Sequence, residues 1–254
     1  MGTGAITQYV DVAQLVLYAF WAFFAGLIIY LIRENKREGY PLETDVGPID
    51  GWPPRPWAKT YLLEDGHTVH KPDDVVSPQT LNAEPTHGWS GAPLEPVGDP
   101  LLAGVGPGAW ADRADVTEKT YEGEPKLVPL RAAVGFDIAG RDRDPRGMPA
   151  LGADGESGGT VVDLWVDRSE MIVRHLEVAV PMPGGGTRNV LLPINFARIG
   201  ADGVQVKAIY AEQFRKVPGT RDPQLVTMLE EEKIMAFYGA GTLYADADRA
   251  EPLF

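Results

Sequence analysis

Apolar residues concentrate first at 12–32, VAQLVLYAFWAFFAGLIIYLI, a stretch of 21 residues with no charge and with Gln14 as its only strongly polar side chain. At about 1.5 Å per residue it reaches roughly 31 Å as a helix, the thickness of a bilayer hydrocarbon core. A core helix of a soluble domain carries a polar face that this stretch lacks. A cleaved signal peptide needs a basic leader, a shorter apolar run and a small-residue cleavage site, and none is present. The pattern therefore predicts one transmembrane helix. Residues 1–11 contain no Lys or Arg, whereas Arg33, Lys36 and Arg37 follow the apolar stretch at once. That asymmetry puts residues 1–11 on the periplasmic side and the rest of the chain in the cytoplasm, with Tyr30 near the inner boundary.

Beyond the helix the pattern turns polar. Residues 33–125 read as an extended tether and irregular docking segment. GWPPRPW at 51–57 is expected to be extended. Residues 60–63 and 68–69 predict a small hairpin around Glu64-Asp65-Gly66. Residues 71–100, rich in Pro and Gly with little periodicity, are expected to lie irregularly over a neighbouring surface.

From residue 126 short β-type runs recur between turn signals, at 127–130, 159–166, 172–180, 189–194 and 203–209. In RHLEVAV (174–180), Leu176, Val178 and Val180 face one side, His175 and Glu177 the other. Pro183-Gly-Gly-Gly186 returns the chain into NVLLPI, and ADG at 201–203 makes a second tight turn. A helix near 223–238 follows, with Asp222 as its cap, Pro223 in its first turn and Gly239 at its end. Its expected apolar face is Leu225, Met228, Leu229, Met235 and Ala236. The fold class predicted is a single transmembrane α-helix plus a mainly-β cytoplasmic domain over 126–254, a small antiparallel barrel with a C-terminal helix.

Composition narrows the function. Hydrophobic residues make up 44%, too many for a disordered chain, and 29 Gly with 22 Pro favour turns and short strands over a helix bundle. A net charge of −13 argues against nucleic acid as a partner. Without cysteine there are no disulfides and no thiolate metal sites.

Walker A, HExxH and GxSxG signatures are absent. His67 and His70 are three apart, close enough to share a metal, but they flank a turn and read better as solvated side chains. Gly104, Gly106 and Gly108 lack the strand–turn–helix setting of a phosphate loop and read as a turn. The acidic run Asp163, Asp167, Glu170 and Glu177 carries more. Asp167-Arg168-Ser169-Glu170 falls where one strand turns into the next, with Arg174 close behind. Carboxylates grouped there could relay protons, because close like charges raise one pKa. The competing reading is a solvated acidic turn paired with Arg168 and Arg174. A membrane-tethered barrel adaptor for another complex fits these residues too. A membrane-anchored hydrolase does not, for want of a nucleophile motif or a metal cluster.

Several stretches, in order along most of the chain, resemble the H subunit of the photosynthetic reaction centre of purple-type phototrophic bacteria. They are DVAQLVLYAFWAFFAGLIIYLIRENKREGYPLE (11–43), GDPLLAGVGPGAW (98–110), KLVPLRAAVGFDIA (126–139), DPRGMP (144–149), GTVVDLWVDRSE (159–170), RHLEV (174–178), LLPINF (191–196) and LEEEKIMAFYGAGTLYA (229–245). The resemblance implies a PRC-type barrel and a pigment-free, non-enzymatic subunit that caps the cytoplasmic face of the L and M subunits. Those subunits carry bacteriochlorophyll, bacteriopheophytin, quinones and non-haem iron, and the complex also admits carotenoid. The partners implied are L and M, the light-harvesting antenna, a cytochrome subunit and lipids, in the inner or intracytoplasmic membrane. The function implied is to stabilise the quinone sites and to assist proton delivery to the secondary quinone. Asp167 and Glu170 match family carboxylates on the proton route, and Arg174 a basic residue beside them. The family's two surface histidines fall on Glu122 and Glu124, and its surface Asp on Thr120. Glu122 and Glu124 are thus the candidates to replace the histidines as proton acceptors.

Overall fold

The computed structural model describes residues 4–6, 11–40, 51–72, 81–89 and 91–250. The end of the REGYPLE segment, residues 73–80 of the Pro/Gly-rich stretch and part of residues 1–11 lie outside them. The chain divides into two compact units, Met1–Gln79 and Thr80–Phe254.

The first unit is built on helix α1, Val12–Arg37. It has no buried residue, and an 18-residue window reaches a mean hydropathy of 2.4, long and apolar enough to cross a membrane. Asp11 caps its start by accepting from the Gln14 amide at 2.7 Å. Gln14 donates to the Tyr18 hydroxyl at 2.7 Å, so the one polar side chain of the apolar stretch is satisfied within the helix. The helix runs five residues past Ile32, and Lys36 and Arg37 in its last turn suit the negative end of its dipole. β1 (Lys59–Leu62) and β2 (Thr68–Lys71) form the expected hairpin, with Tyr61 opposite Val69.

In the second unit, residues 83–96 are more regular than their sequence suggests. β3 (Ala83–Pro85) and β4 (Leu94–Pro96) pair antiparallel. Pro85 and Pro96 sit at non-hydrogen-bonded positions, flanked by bonds from the Thr86 amide to the Pro93 carbonyl and from the Val97 amide to the Asn82 carbonyl, both at 2.8 Å, so neither missing N–H costs the ladder a bond. The main sheet follows: β5 (Leu127–Pro129), β6 (Pro149–Leu151), β7 (Ser157–Asp167), β8 (Ile172–Pro181), β9 (Thr187–Pro193), β10 (Arg198–Ile199) and β11 (Val204–Gln205). Its order is β10-β11-β6-β7-β8-β9, with β5 added to β7. β7 is the centre: its first half pairs with β6, its last three residues with β5, and its other edge with β8 along its length. One apolar cluster takes Ala150, Val161, Leu176, Val178, Val190, Leu192 and Val204 from five of these strands, so the sheet curls around a single core. β11 is shorter than expected. After Gln205 the chain leaves the ladder, although Val206 still donates to the Leu151 carbonyl at 2.8 Å.

The closing helix differs from the expectation. Helix α2 spans Met228–Tyr244 rather than 223–238, and Thr227 caps it, not Asp222. Thr227 Oγ1 accepts from the Glu230 amide and the Glu230 carboxylate accepts from the Thr227 amide, a reciprocal capping box. Asp222 is used in a local turn, accepting from the Gln224 amide at 2.7 Å. Gly239 does not end the helix. A Cβ built there would lie 2.3 Å from the Pro107 carbonyl oxygen, so this glycine lets the loop at 106–108 touch the helix mid-length. The buried residues are Ile234, Ala236, Phe237, Tyr238, Ala240 and Gly241, and of the expected face only Ala236 is fully buried. The buried set is centred on Ile234, Phe237, Tyr238 and Gly241, and the short 3-10 turn Gly106–Gly108 packs on the helix at Ala236, Gly239 and Ala240.

Candidate functional site

The turn from β7 to β8 gathers the charged groups. Asp167 ends β7, and its Oδ1 accepts from the amides of Ser169 and Glu170, both at 2.9 Å. Met171, at φ 55°, donates its amide to the Asp167 carbonyl at 2.8 Å and closes the turn. Because Leu127 of β5 pairs with Asp167, Lys126 arrives beside the same carboxylate. Its ammonium lies 3.5 Å from Asp167 Oδ2, 3.3 Å from Glu118 and 3.8 Å from Glu170. Arg174, near the start of β8, donates to Glu170 at 2.9 Å and lies 3.5 Å from Asp167. Three carboxylates therefore share two cations at one end of the sheet.

The members differ in exposure and so in chemistry. Asp167 is buried. Burial pushes its carboxyl up, but the Glu170 and Ser169 amides and the Lys126 ammonium outweigh that and hold it below the ordinary carboxylate range. Burial likewise weakens the Lys126 proton, yet Glu118 and Asp167 hold it more tightly than usual. Asp167 is thus a fixed anion. The Glu170 side chain is half exposed.

Glu124 and Glu122 sit on the neighbouring turn, closed by the Thr120 amide donating to the Glu124 carbonyl at 2.7 Å. Glu124 is exposed and reaches Arg168 at 3.2 Å, next in sequence to Asp167. Glu122 is exposed at the tip, and among the described residues no ion pair joins it to the cluster. The rings of His67 and His70 have different partners, Asp65 at 3.1 Å and Thr60 at 3.0 Å. No group of three or more His, Asp or Glu suited to a metal occurs among the described residues.

Two buried features were not visible as such in the sequence. His175 and Glu177 do face away from Leu176 and Val178, but that face is covered as well. Arg131 donates to Asp163 at 2.8 Å and to Glu177 at 2.5 Å, while the Trp165 indole and the Asn189 amide complete the Glu177 carboxylate. That network ties up two of the four run carboxylates in structural hydrogen bonds around one shared cation. His175 is buried with neither ring nitrogen hydrogen-bonded, and burial, helped by the Arg174 charge, lowers its pKa to about 4. It lies 4.0 Å from Glu231 in the first turn of α2, whose carboxyl burial pushes up. Lys126, Glu118 and Glu231 join the site only through long-range pairing, for which no local signal exists. The polar His175 in an alternating strand was the one hint of a second covered face.

A membrane-type helix followed by a small coiled sheet with a closing helix defines the class, a membrane-anchored PRC-barrel protein. The sequence matches the family profile described as photosynthetic reaction centre, H-chain N-terminal region, over residues 4–132, and the PRC-barrel domain over residues 138–213. The chain belongs to the photosynthetic reaction-centre H-chain family. It is a membrane-anchored H subunit, a structural component that associates with the L and M subunits in a complex carrying pigments and quinones.

Proposed function

We propose that this H subunit caps the cytoplasmic face of L and M, shields the quinone sites and passes protons towards the secondary quinone during light-driven cyclic electron transfer. The observation that carries the reading is the convergence of Asp167, Glu170 and Glu118 on Lys126 and Arg174 at the β7–β8 turn. A carboxylate takes up a proton more readily when negative charge develops nearby, as it does on a reduced quinone. In this account Glu170 exchanges the proton. Asp167, held ionised, fixes the local field, and Arg174 and Lys126 keep the carboxylates together. Glu124 and Glu122 on the adjoining turn serve as outer acceptors, Glu124 linking to the cluster through Arg168.

The charge asymmetry around α1 supports a periplasmic N-terminus with the span at 12–32 and the barrel domain from 126 in the cytoplasm; the intervening tether and docking segment, 33–125, leads from the membrane surface to the partners. The membrane would be the inner or intracytoplasmic one. Bacteriochlorophyll, bacteriopheophytin, quinones, iron and carotenoid belong in this account to the partner chains, with antenna, cytochrome subunit and lipids as further neighbours. This chain supplies no catalytic site of its own.

Flash spectroscopy on the assembled complex tests the reading. Glu170→Gln should slow proton-coupled transfer of the second electron to the secondary quinone by about tenfold or more while assembly is retained. An unchanged rate would make Glu170 structural.

A further inference from the structure

Segment 51–57, Gly-Trp-Pro-Pro-Arg-Pro-Trp, is fixed to the last turns of α1 by its backbone. Lys36 donates to the Pro53 carbonyl at 2.6 Å and also to that of Gly51. Arg37 donates to the Trp57 carbonyl, and Lys59, just beyond, pairs with Glu34 at 2.5 Å. Pro53 and Pro56 are buried on the inner side, three residues apart as a polyproline turn requires. Trp52 and Trp57 face outward, 77% and 91% exposed. Two tryptophans left so bare call for a cover.

Their position gives it. Lys36 and Arg37 stand four and five residues past Ile32, roughly 6–8 Å beyond the end of the apolar stretch at helical rise. A bilayer with a core of about 30 Å inside a total of about 40–45 Å has a headgroup layer of roughly that depth on each side. Tryptophan is favoured in that layer, where its ring is partly apolar and its N–H finds an acceptor. We propose that residues 51–57 form an interfacial collar, with Trp52 and Trp57 seated among the lipid headgroups of the bilayer that α1 spans. The collar stops α1 from sliding along the membrane normal and sets the depth at which the rest of the chain leaves the lipid. It rests on α1 being a span, and not on the proton route.

The sequence has no cysteine, so one introduced cysteine is the only thiol of the chain. Full-length chain carrying Trp52→Cys, Trp57→Cys or Ile28→Cys is spin-labelled, reconstituted into phosphatidylcholine vesicles, and probed with oxygen and a water-soluble nickel complex. The tryptophan side chains are exposed, so their replacement removes no packing. The label at position 28 should be shielded from nickel. Labels at 52 and 57 should show intermediate accessibility, several-fold below that of free label. Full nickel accessibility at both positions with position 28 shielded would overturn the collar and leave the span intact. Shielding that appears only after L and M are added would overturn it in favour of a protein contact. Nickel access at position 28 would remove the span and the collar together.

Discussion

Arg174 donates to Glu170 at 2.9 Å from four residues further along the chain, and both side chains remain about half exposed. An exposed pair of this kind contributes about 1 kcal/mol or less to stability. Glu170→Gln should therefore leave thermal unfolding of the complex within a few degrees of the parent, as followed by circular dichroism. Any loss of proton transfer in that variant can then be read as function. A large fall in melting temperature would mean that the pair holds the turn together.

Arg131 is different, because its two partners are buried. Removing the guanidinium by Arg131→Ala leaves Asp163 and Glu177 facing each other across β7 and β8 without a cation. The expected loss is about 3–5 kcal/mol. Removing the repulsion between the two carboxylates with Asp163→Asn in the same chain should recover part of it. Denaturant titration of the parent and both variants checks this, and equal stability of all three would contradict the network's role.

His175 gives the acid side of the stability profile a definite shape. Its folded pKa is about 4 against an ordinary 6.5, so between those values the unfolded chain binds a proton that the folded chain refuses. Stability falls as pH drops from 6.5 to 4, by about 3 kcal/mol in all, and is fully present above 6.5. Glu231, facing it at 4.0 Å with its carboxyl pushed up by burial, acts in the opposite sense as pH falls. His175→Phe should flatten the difference across this window, measured as unfolding midpoint against pH. A parallel profile in parent and variant would show that the ring is hydrated in solution.

Gly239→Ala should destabilise although alanine is the better helix former. The gain in propensity is about 1 kcal/mol, whereas a methyl 2.3 Å from the Pro107 carbonyl forces the 106–108 turn off α2. A net loss of about 1–3 kcal/mol is expected in thermal unfolding. A stabilised variant would mean that the turn yields freely.

The elements set by local chemistry were legible in the residues. The 12–32 helix, the hairpin around Glu64-Asp65-Gly66, and the turns at 183–186 and 201–203 each follow from a few adjacent side chains. The start of α2 is misplaced by local signals: Asp222-Pro223 reads as its cap, whereas Asp222 is spent on a turn and Thr227 with Glu230 caps the helix five residues later. β6 and β10 are two or three residues long and exist only because β7 and β11 pair with them. The charged site divides in the same way. Asp167, Glu170 and Arg174 lie within eight residues and were found together. Lys126 and Glu118 reach them by the pairing of β5 with β7, and Glu231 by the packing of α2 on His175.

The most direct measurement is the near-infrared absorption spectrum of the complex recovered with the tagged, full-length chain from a pigmented host in mild detergent. An H subunit should bring L and M with it, and the preparation should carry their bacteriochlorophyll bands in constant ratio to this chain. A colourless, stable chain purified alone from the same pigmented membranes would contradict the account.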